Sequence, residues 1–293
     1  MKKEHFGDPA PMHIQSNGMG VQSFAMYLMS SMGLLPRFDY SVFVNTGGEK
    51  QKTLEAFEWL KKWAVRNNGV PLIEITKRNL LAETLSSVEN ENQRFVSVPF
   101  FADGEKEREG MLRRQCTGEI KIRQVNAFIK AKQELYGNQR FKECYVYLGI
   151  SIDEMSRMST PKPIKFTNVF PFCGYQTGYR RGVYRFGEPG HITLPLSRNQ
   201  IKNWLIENFF IVPPKSSCVW CPYTTNAEWA KMKRENGSDW QTATLVDSKI
   251  RNGHPGGVNK TLACHRSLAP LNEVDFESEI DHGLFECSGH CHC

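Results

Sequence analysis

Ser16-Asn17-Gly18-Met19-Gly20-Val21-Gln22-Ser23 is the stretch on which the fold turns. It follows the apolar run Met12-His13-Ile14 and precedes a helical pattern over 21–32, so it reads as a strand, a glycine-rich turn and a helix start. Gly18 and Gly20 admit positive φ and let a ligand approach the backbone. The first N–H groups of a helix, with their dipole, favour an anion. Two readings follow: a phosphate cradle, or a joint that carries glycine for packing. The residues downstream separate them.

Tyr40-Ser41-Val42-Phe43-Val44-Asn45 is rich in β-branched and aromatic residues and ends at Thr46-Gly47-Gly48-Glu49, a second strand with a turn at its carboxyl end. Over 52–66, Leu54, Phe57, Trp59, Leu60 and Trp63 share one helical face, and Asn67-Asn68-Gly69 stops the helix. Pro71-Leu72-Ile73-Glu74-Ile75 is a third strand. Strands alternating with helices of this length imply right-handed βαβ units and a parallel sheet. Ligands of such sheets bind beyond the carboxyl ends of the strands, where both turns lie. The pattern loosens over 79–110, and the charged run 103–109 reads as a solvated insertion or a loop over the site. Arg113-Arg114-Gln115-Cys116-Thr117 then leads into a helix over 118–135.

Tyr145-Val146-Tyr147-Leu148-Gly149-Ile150 lacks alternation, as a strand covered on both faces does. At its carboxyl end, Ser151-Ile152-Asp153-Glu154-Met155-Ser156-Arg157 offers Arg157 either as a clamp for phosphate or sulfate or as the partner of Asp153 or Glu154. Residues 162–190 resist assignment, His191-Ile192-Thr193-Leu194-Pro195-Leu196 reads as a short strand, and Ser197 caps a helix running to about Phe210. Past Pro213-Pro214-Lys215-Ser216-Ser217 the character changes, with a short helix over 227–234 and a tail of little periodicity. The expectation is an α/β, Rossmann-like, doubly wound and mostly parallel sheet over 1–212, followed by a cysteine-rich, irregular or helical region over 213–293.

With 40% hydrophobic and 23% charged residues among 293, the composition is that of a globular protein with room for a sizeable core. No apolar run is long enough for a bilayer and the start lacks a signal-peptide core, so a cytoplasmic, non-membrane protein is expected. A net charge of +6 suits nucleic acid or an anionic nucleotide as partner. Nine cysteines, an odd number, argue against a disulfide scaffold. Cys144 and Cys173 sit in apolar surroundings and read as core. Cys218 and Cys221 form a Cys-x-x-Cys knuckle, open to metal binding, redox dithiol chemistry or plain structure. Its position after a diproline loop, late in the chain, favours metal over a thioredoxin-type motif. Cys116 is the first choice for a third ligand, and Cys264 or the adjacent His265 for a fourth. Zinc and a 4Fe-4S cluster both accept such thiolates. Cys287, Cys291 and Cys293 with His290 and His292 read as a second zinc site or a redox tail.

Taken in order, these pieces resemble the phosphoadenosine phosphosulfate (PAPS) reductase-like branch of the PP-loop, or adenine nucleotide alpha hydrolase, superfamily, in particular its phage and prophage members related to the DNA phosphorothioation sulfurtransferase. The matching stretches are 16–23; Phe43-Val44-Asn45-Thr46-Gly47-Gly48-Glu49 with Thr53; Arg114-Gln115-Cys116-Thr117 with Lys121; Gly149-Ile150-Ser151-Ile152-Asp153-Glu154 with Arg157; and Ser217-Cys218-Val219-Trp220-Cys221-Pro222 with Trp229. The resemblance implies that Ser16, Asn17, Gly18, Gly20, Val21, Gln22 and Ser23 surround the phosphates or sulfate of ATP or a PAPS-type nucleotide. Asn45, Thr46 and Gly47 would lie near the adenosine, and Gly149 and Asp153 would also belong to the nucleotide site. Lys121 and Arg157 would offset charge at the reacting phosphorus, and a 4Fe-4S cluster, with zinc as the alternative, would sit on Cys116, Cys218 and Cys221, with Cys264 as the leading fourth ligand. Magnesium is compatible with such a nucleotide.

The implied activity is ATP-dependent adenylation of a substrate coupled to sulfur transfer, with nucleic acid admitted as acceptor and a sulfur- or electron-donor protein or a second copy of the chain as partners. Its alternatives are sulfonucleotide reduction, with Cys287 of Glu286-Cys287-Ser288-Gly289-His290 as nucleophile, and a nucleotide-sensing or nucleic-acid-binding accessory module. The usual PP-loop reads Ser-Gly-Gly-x-Asp-Ser; here the serines are two residues further apart and Gln22 stands in the acidic position.

Overall fold

The computed structural model describes residues 11–103, 110–135, 144–158, 166–177, 182–183, 195–255 and 257–277. Its centre is a sheet of five parallel strands in the order β3-β2-β1-β6-β7, namely Leu72–Ile75, Tyr40–Val44, Met12–Asn17, Cys144–Tyr147 and Thr167–Phe170. Antiparallel β8 (Tyr175–Thr177) and β9 (Gly182–Val183) extend it beyond β7. Alternate side chains of one strand feed the two faces of the sheet's core, which is why β2 and β6 read as unbroken apolar runs. Phe43, Tyr147 and Val169 pack against α1 (Val21–Ser31), α2 (Gln51–Arg66) and α5 (Arg198–Phe209). Met12, Ile14, Val42, Val44 and Val146 pack on the other face against Val125 and Ile129 of α4 (Arg123–Leu135). The sheet is therefore doubly wound, as the sequence pattern predicts.

The chain reverses direction across the sheet after β3. The helices before this point lie on one face and α4 on the other, so β1 and β6 are neighbours whose following connections diverge. A crevice at the carboxyl ends of two such strands is the ligand position of doubly wound folds.

A second core lies beside the first. It joins Leu80, Val96, Val98, Phe100 and Ile120 to Val219, Trp220, Trp229, Trp240, Cys264 and Phe276. A small antiparallel sheet crosses the same divide: β10 (Leu262–Ala263) pairs with β4 (Phe101–Ala102), and β4 with β5 (Gly110–Met111). The cysteine-rich region thus completes its core with residues from 80–120, on the far side of residue 212.

Two helices went unread in the sequence. α3 (Leu80–Glu89) is capped by Asn79, whose side chain accepts from Ala82 N at 3.0 Å. Its buried stripe is short and interrupted by Thr84 and Ser87, which weakens the 3.6-residue signal. α7 (Ser238–Ile250) follows α6 (Asn226–Glu235) after two residues, and its buried positions include a polar one, Asp247. Thr225 and Ser197 begin α6 and α5 with reciprocal bonds to Glu228 and Gln200. Most of the short strand expected over 191–196, and the whole of the terminal Cys/His cluster, lie outside the described residues.

Candidate functional site

The first turn is held from beneath by a chain of buried polar side chains. Gln15 Nε2 donates to Ser23 O at 2.6 Å, Ser41 Oγ donates to Gln15 Oε1 at 2.8 Å, and Asn17 Nδ2 donates to Ser41 Oγ at 3.1 Å. Asn17 Oδ1 then accepts from Met19 N at 2.9 Å. The left-handed residue of the turn is Met19, at φ 59°, and neither Gly18 nor Gly20 has positive φ. This corrects the expectation from glycine. The Asn17 carbonyl fixes the local bend, and the Met19 side chain, fully buried, is anchored in the core against α1. Asn17 therefore shapes the turn from below, with both ends of its amide in use.

Gly20 starts α1 with no side-chain cap and no acidic residue in the first turn, which leaves the helix N-terminus open to an anion. Ser23 Oγ accepts from Gly20 N at 3.2 Å. Gln22, where the acidic residue of the usual loop would stand, bridges the crevice: its Nε2 donates to Glu154 Oε2 at 2.9 Å and to Ser151 Oγ at 3.3 Å. Gly149, just past β6, lies so close to α1 that a Cβ there would be 2.7 Å from Ser23 N. Arg157 Nη1 is 2.7 Å from Glu154 Oε2, the ion-pair reading of that residue. Asp153 accepts from Arg198 N at 3.0 Å and so caps α5 instead of facing the crevice. Burial opposes ionisation of Asp153, but bonds from Ser151 and Arg198 outweigh it and hold its carboxyl below the usual range. Ser16, half-buried, ends the face of β1 opposite to Gln15 and Asn17.

The second turn is built differently. Asn45 Nδ2 donates to Glu74 Oε1 at 2.9 Å and its Oδ1 accepts from Gly47 N at 3.0 Å, while Leu80 N donates to Thr46 O at 2.7 Å. Gly47 takes φ 75° against Asn79. Glu49 is fully buried, accepts from Thr46 Oγ1 at 3.0 Å and pairs with Lys121 Nζ at 3.3 Å. Its other oxygen, Oε2, has no hydrogen-bond partner among the described residues.

The segment 213–220 crosses over both turns. Val219 N donates to Gly48 O at 2.8 Å, Glu49 and Cys218 form an antiparallel bridge, and the Trp220 ring fills the space where a Gly48 side chain would be. A Cβ at Gly20 would lie 3.7 Å from Ser216 Cβ. Between this strap and the start of α4 is a pocket lined by Thr46, Arg114, Cys116, Lys121, Lys215, Ser216, Ser217, Cys218 and Cys221. A π-helical turn, Thr117–Ile122, opens α4 and carries Lys121 while Cys116 precedes it; such turns recur at functional sites. Burial pushes the Cys218 thiol up, as do Glu49 and the neighbouring Cys221 and Cys116, while Lys121 opposes them.

Cys264 does not line this pocket. It is wholly buried in the second core beside Asp247, which accepts from its backbone N at 2.8 Å, and burial with that carboxylate raises its thiol well above the ordinary value. His265 has both ring nitrogens engaged, Nδ1 with Ser267 Oγ at 2.8 Å and Nε2 with Asn226 Oδ1 at 3.1 Å. Of the residues expected to be core, Cys144 is buried and Cys173 half-buried, and burial pushes both thiols up to about 12. Cys287 lies outside the described residues.

As a donor set, Cys116, Cys218 and Cys221 around one pocket suit a thiophilic metal centre. Among the described residues, no three His, Cys, Asp or Glu side chains stand together in a formed ligand cage. The fit is therefore one of chemistry and placement. Sequence reasoning passed over Ser216 and Ser217 as site residues and did not anticipate that Glu49 is buried. Two hydroxyls one residue past a diproline, and directly before the cysteine knuckle, were the available signal.

No protein-family model matches the chain, and no curated protein matches it. The fold and the crevice define an α/β protein with a five-strand parallel sheet, an uncapped helix N-terminus at its switch point and a thiol-lined pocket alongside. Among the described residues, no helix is long and apolar enough to cross a membrane.

Proposed function

We propose that the chain is an adenine-nucleotide-binding enzyme of PAPS reductase-like type, which adenylates a substrate with ATP and delivers sulfur to it, nucleic acid being an acceptor class that its net positive charge accommodates. One observation carries this reading: the open N-terminus of α1, at the switch point between β1 and β6, is bridged by one strap to a pocket lined by three thiols and three cationic side chains. Phosphate chemistry and thiol chemistry would then occur within one continuous site.

In this reading the backbone N–H groups after Gly20 hold the phosphates, and Gln22 fixes the width of the crevice through Ser151 and Glu154. Lys121 offsets negative charge as the α-phosphate is attacked, with Glu49 holding its ammonium in place. Cys116, Cys218 and Cys221 would hold the iron–sulfur cluster or zinc, which when bound supplies a soft Lewis-acid centre for sulfur. The test is ATP binding by calorimetry, iron and zinc analysis of anaerobically prepared protein, and pyrophosphate release from ATP with DNA or RNA as acceptor. ATP binding with acceptor-dependent pyrophosphate release supports the reading; absence of ATP binding overturns it.

A further inference from the structure

We propose that Ser216 and Ser217 are phosphate ligands, and that the strap over 213–218 is the second wall of the nucleotide site and not only a connection into the second core. The inference rests on the adenine-nucleotide reading above and assigns it residues that the turn-and-helix motif does not contain.

Both hydroxyl oxygens are buried and make no hydrogen bond among the described residues. Buried hydroxyls without partners are uncommon, because a group taken out of water and left unpaired disfavours the fold. They are consecutive in the chain. Ser216 is packed against Gly20, the residue that begins α1, and both serines line the pocket that contains Arg114, Lys121 and Lys215. Hydroxyls and N–H groups donate; in this setting their common complement is a group with many acceptor oxygens and negative charge, which is a phosphate.

The strap is also held in place independently of these hydroxyls. Pro213 and Pro214 restrict its backbone, Lys215 Nζ donates to Tyr223 O at 3.2 Å, and the Val219–Gly48 bond and the Trp220 ring fix its far end on the second turn. The serine side chains carry none of this. A serine whose hydroxyl is buried on a rigid, half-buried strap, with no partner among the described residues, is pre-organised for a ligand, and removing that hydroxyl breaks no hydrogen bond among them.

The experiment compares wild type and Ser216→Ala/Ser217→Ala by calorimetric titration with ATP and with adenosine, alongside thermal unfolding. The expected result for the double alanine variant is ATP affinity lower by roughly ten- to hundredfold, as for lost hydrogen bonds to a charged group. Its adenosine affinity and its Tm should be unchanged or, for Tm, raised. Equal ATP affinity in wild type and the double variant overturns this inference and leaves the nucleotide reading intact. A parallel loss of adenosine affinity or of Tm also overturns it, by showing a structural role. If wild type binds neither ATP nor adenosine, the nucleotide reading fails and this inference with it.

Discussion

Gly149→Ala is the sharpest test of the crevice. The methyl group would lie 2.7 Å from Ser23 N, 3.0 Å from Ser23 Cα and 3.1 Å from Gln22 C. All three are backbone atoms of a helix buried from Val21 to Ser30, so no side chain can swing aside. Either the β6 turn or α1 must shift by several tenths of an ångström. Overpacking of this kind costs about 1–3 kcal/mol. Moving the turn also stretches the Gln22 bonds to Ser151 and Glu154, which cross the same gap, and adds about 1 kcal/mol. The expected loss is therefore about 2–4 kcal/mol, measured by urea unfolding. The control is Gly118→Ala, whose methyl meets nothing within 4 Å in a helical turn and should be neutral or stabilising by up to about 1 kcal/mol. ATP affinity should fall at least about tenfold in Gly149→Ala, because the phosphate-binding N–H groups move with the helix. A urea midpoint and ATP affinity equal to wild type would refute the close approach of β6 to α1 and the site built on it.

Three further outcomes are expected. Lys121→Met leaves the buried Glu49 carboxylate without its cation and should destabilise by about 3–5 kcal/mol, most of it regained in Lys121→Met/Glu49→Gln; no recovery in the double variant would mean that the pair is not what holds Glu49. The carboxyl of Asp153 is held below its ordinary value, so its contribution to stability is present above the unfolded carboxylate pKa of about 3.9 and is lost as pH falls through the lower folded value. The Tm difference between wild type and Asp153→Asn should therefore be present at neutral pH and vanish in that acid window. Iodoacetamide at about pH 8 should modify native Cys144, Cys173, Cys218 and Cys264 slowly, because burial keeps their thiols protonated, and rapidly after unfolding; fast native labelling of Cys264 would contradict its place in the second core.

Much of the fold was legible because its signals are local. The β-branched run at 40–45, the one-sided helix at 52–66 and the capping pair Ser197 and Gln200 each specify an element from a window of a few residues. Their alternation then specifies a parallel sheet and the edge that binds. α3 and α7 were not legible, since Thr84, Ser87 and Asp247 break the apolar stripes of their buried faces. Asp247 receives bonds from Cys264 N and Leu271 N, and no periodicity announces that. The relation between the two cores was hidden for the same reason. Residues 80–120 and 219–276 complete one another across 98 intervening positions.

The sequence by itself determined the strand, turn and helix around Gly20, and with them an anion-favouring helix start, because backbone freedom and hydrophobic period are written residue by residue. Tertiary structure decided how that turn is closed. Asn17 and the core place Met19, not a glycine, in the left-handed conformation; Gln22 spans to Ser151 and Glu154; Asp153 accepts from Arg198 N and Cys264 is buried beside Asp247; and the strap brings Ser216 to Gly20 and Cys218 to the pocket that Cys116 lines. These are contacts between segments far apart along the chain, and their energies arise only once packing has brought the partners together and excluded water from between them.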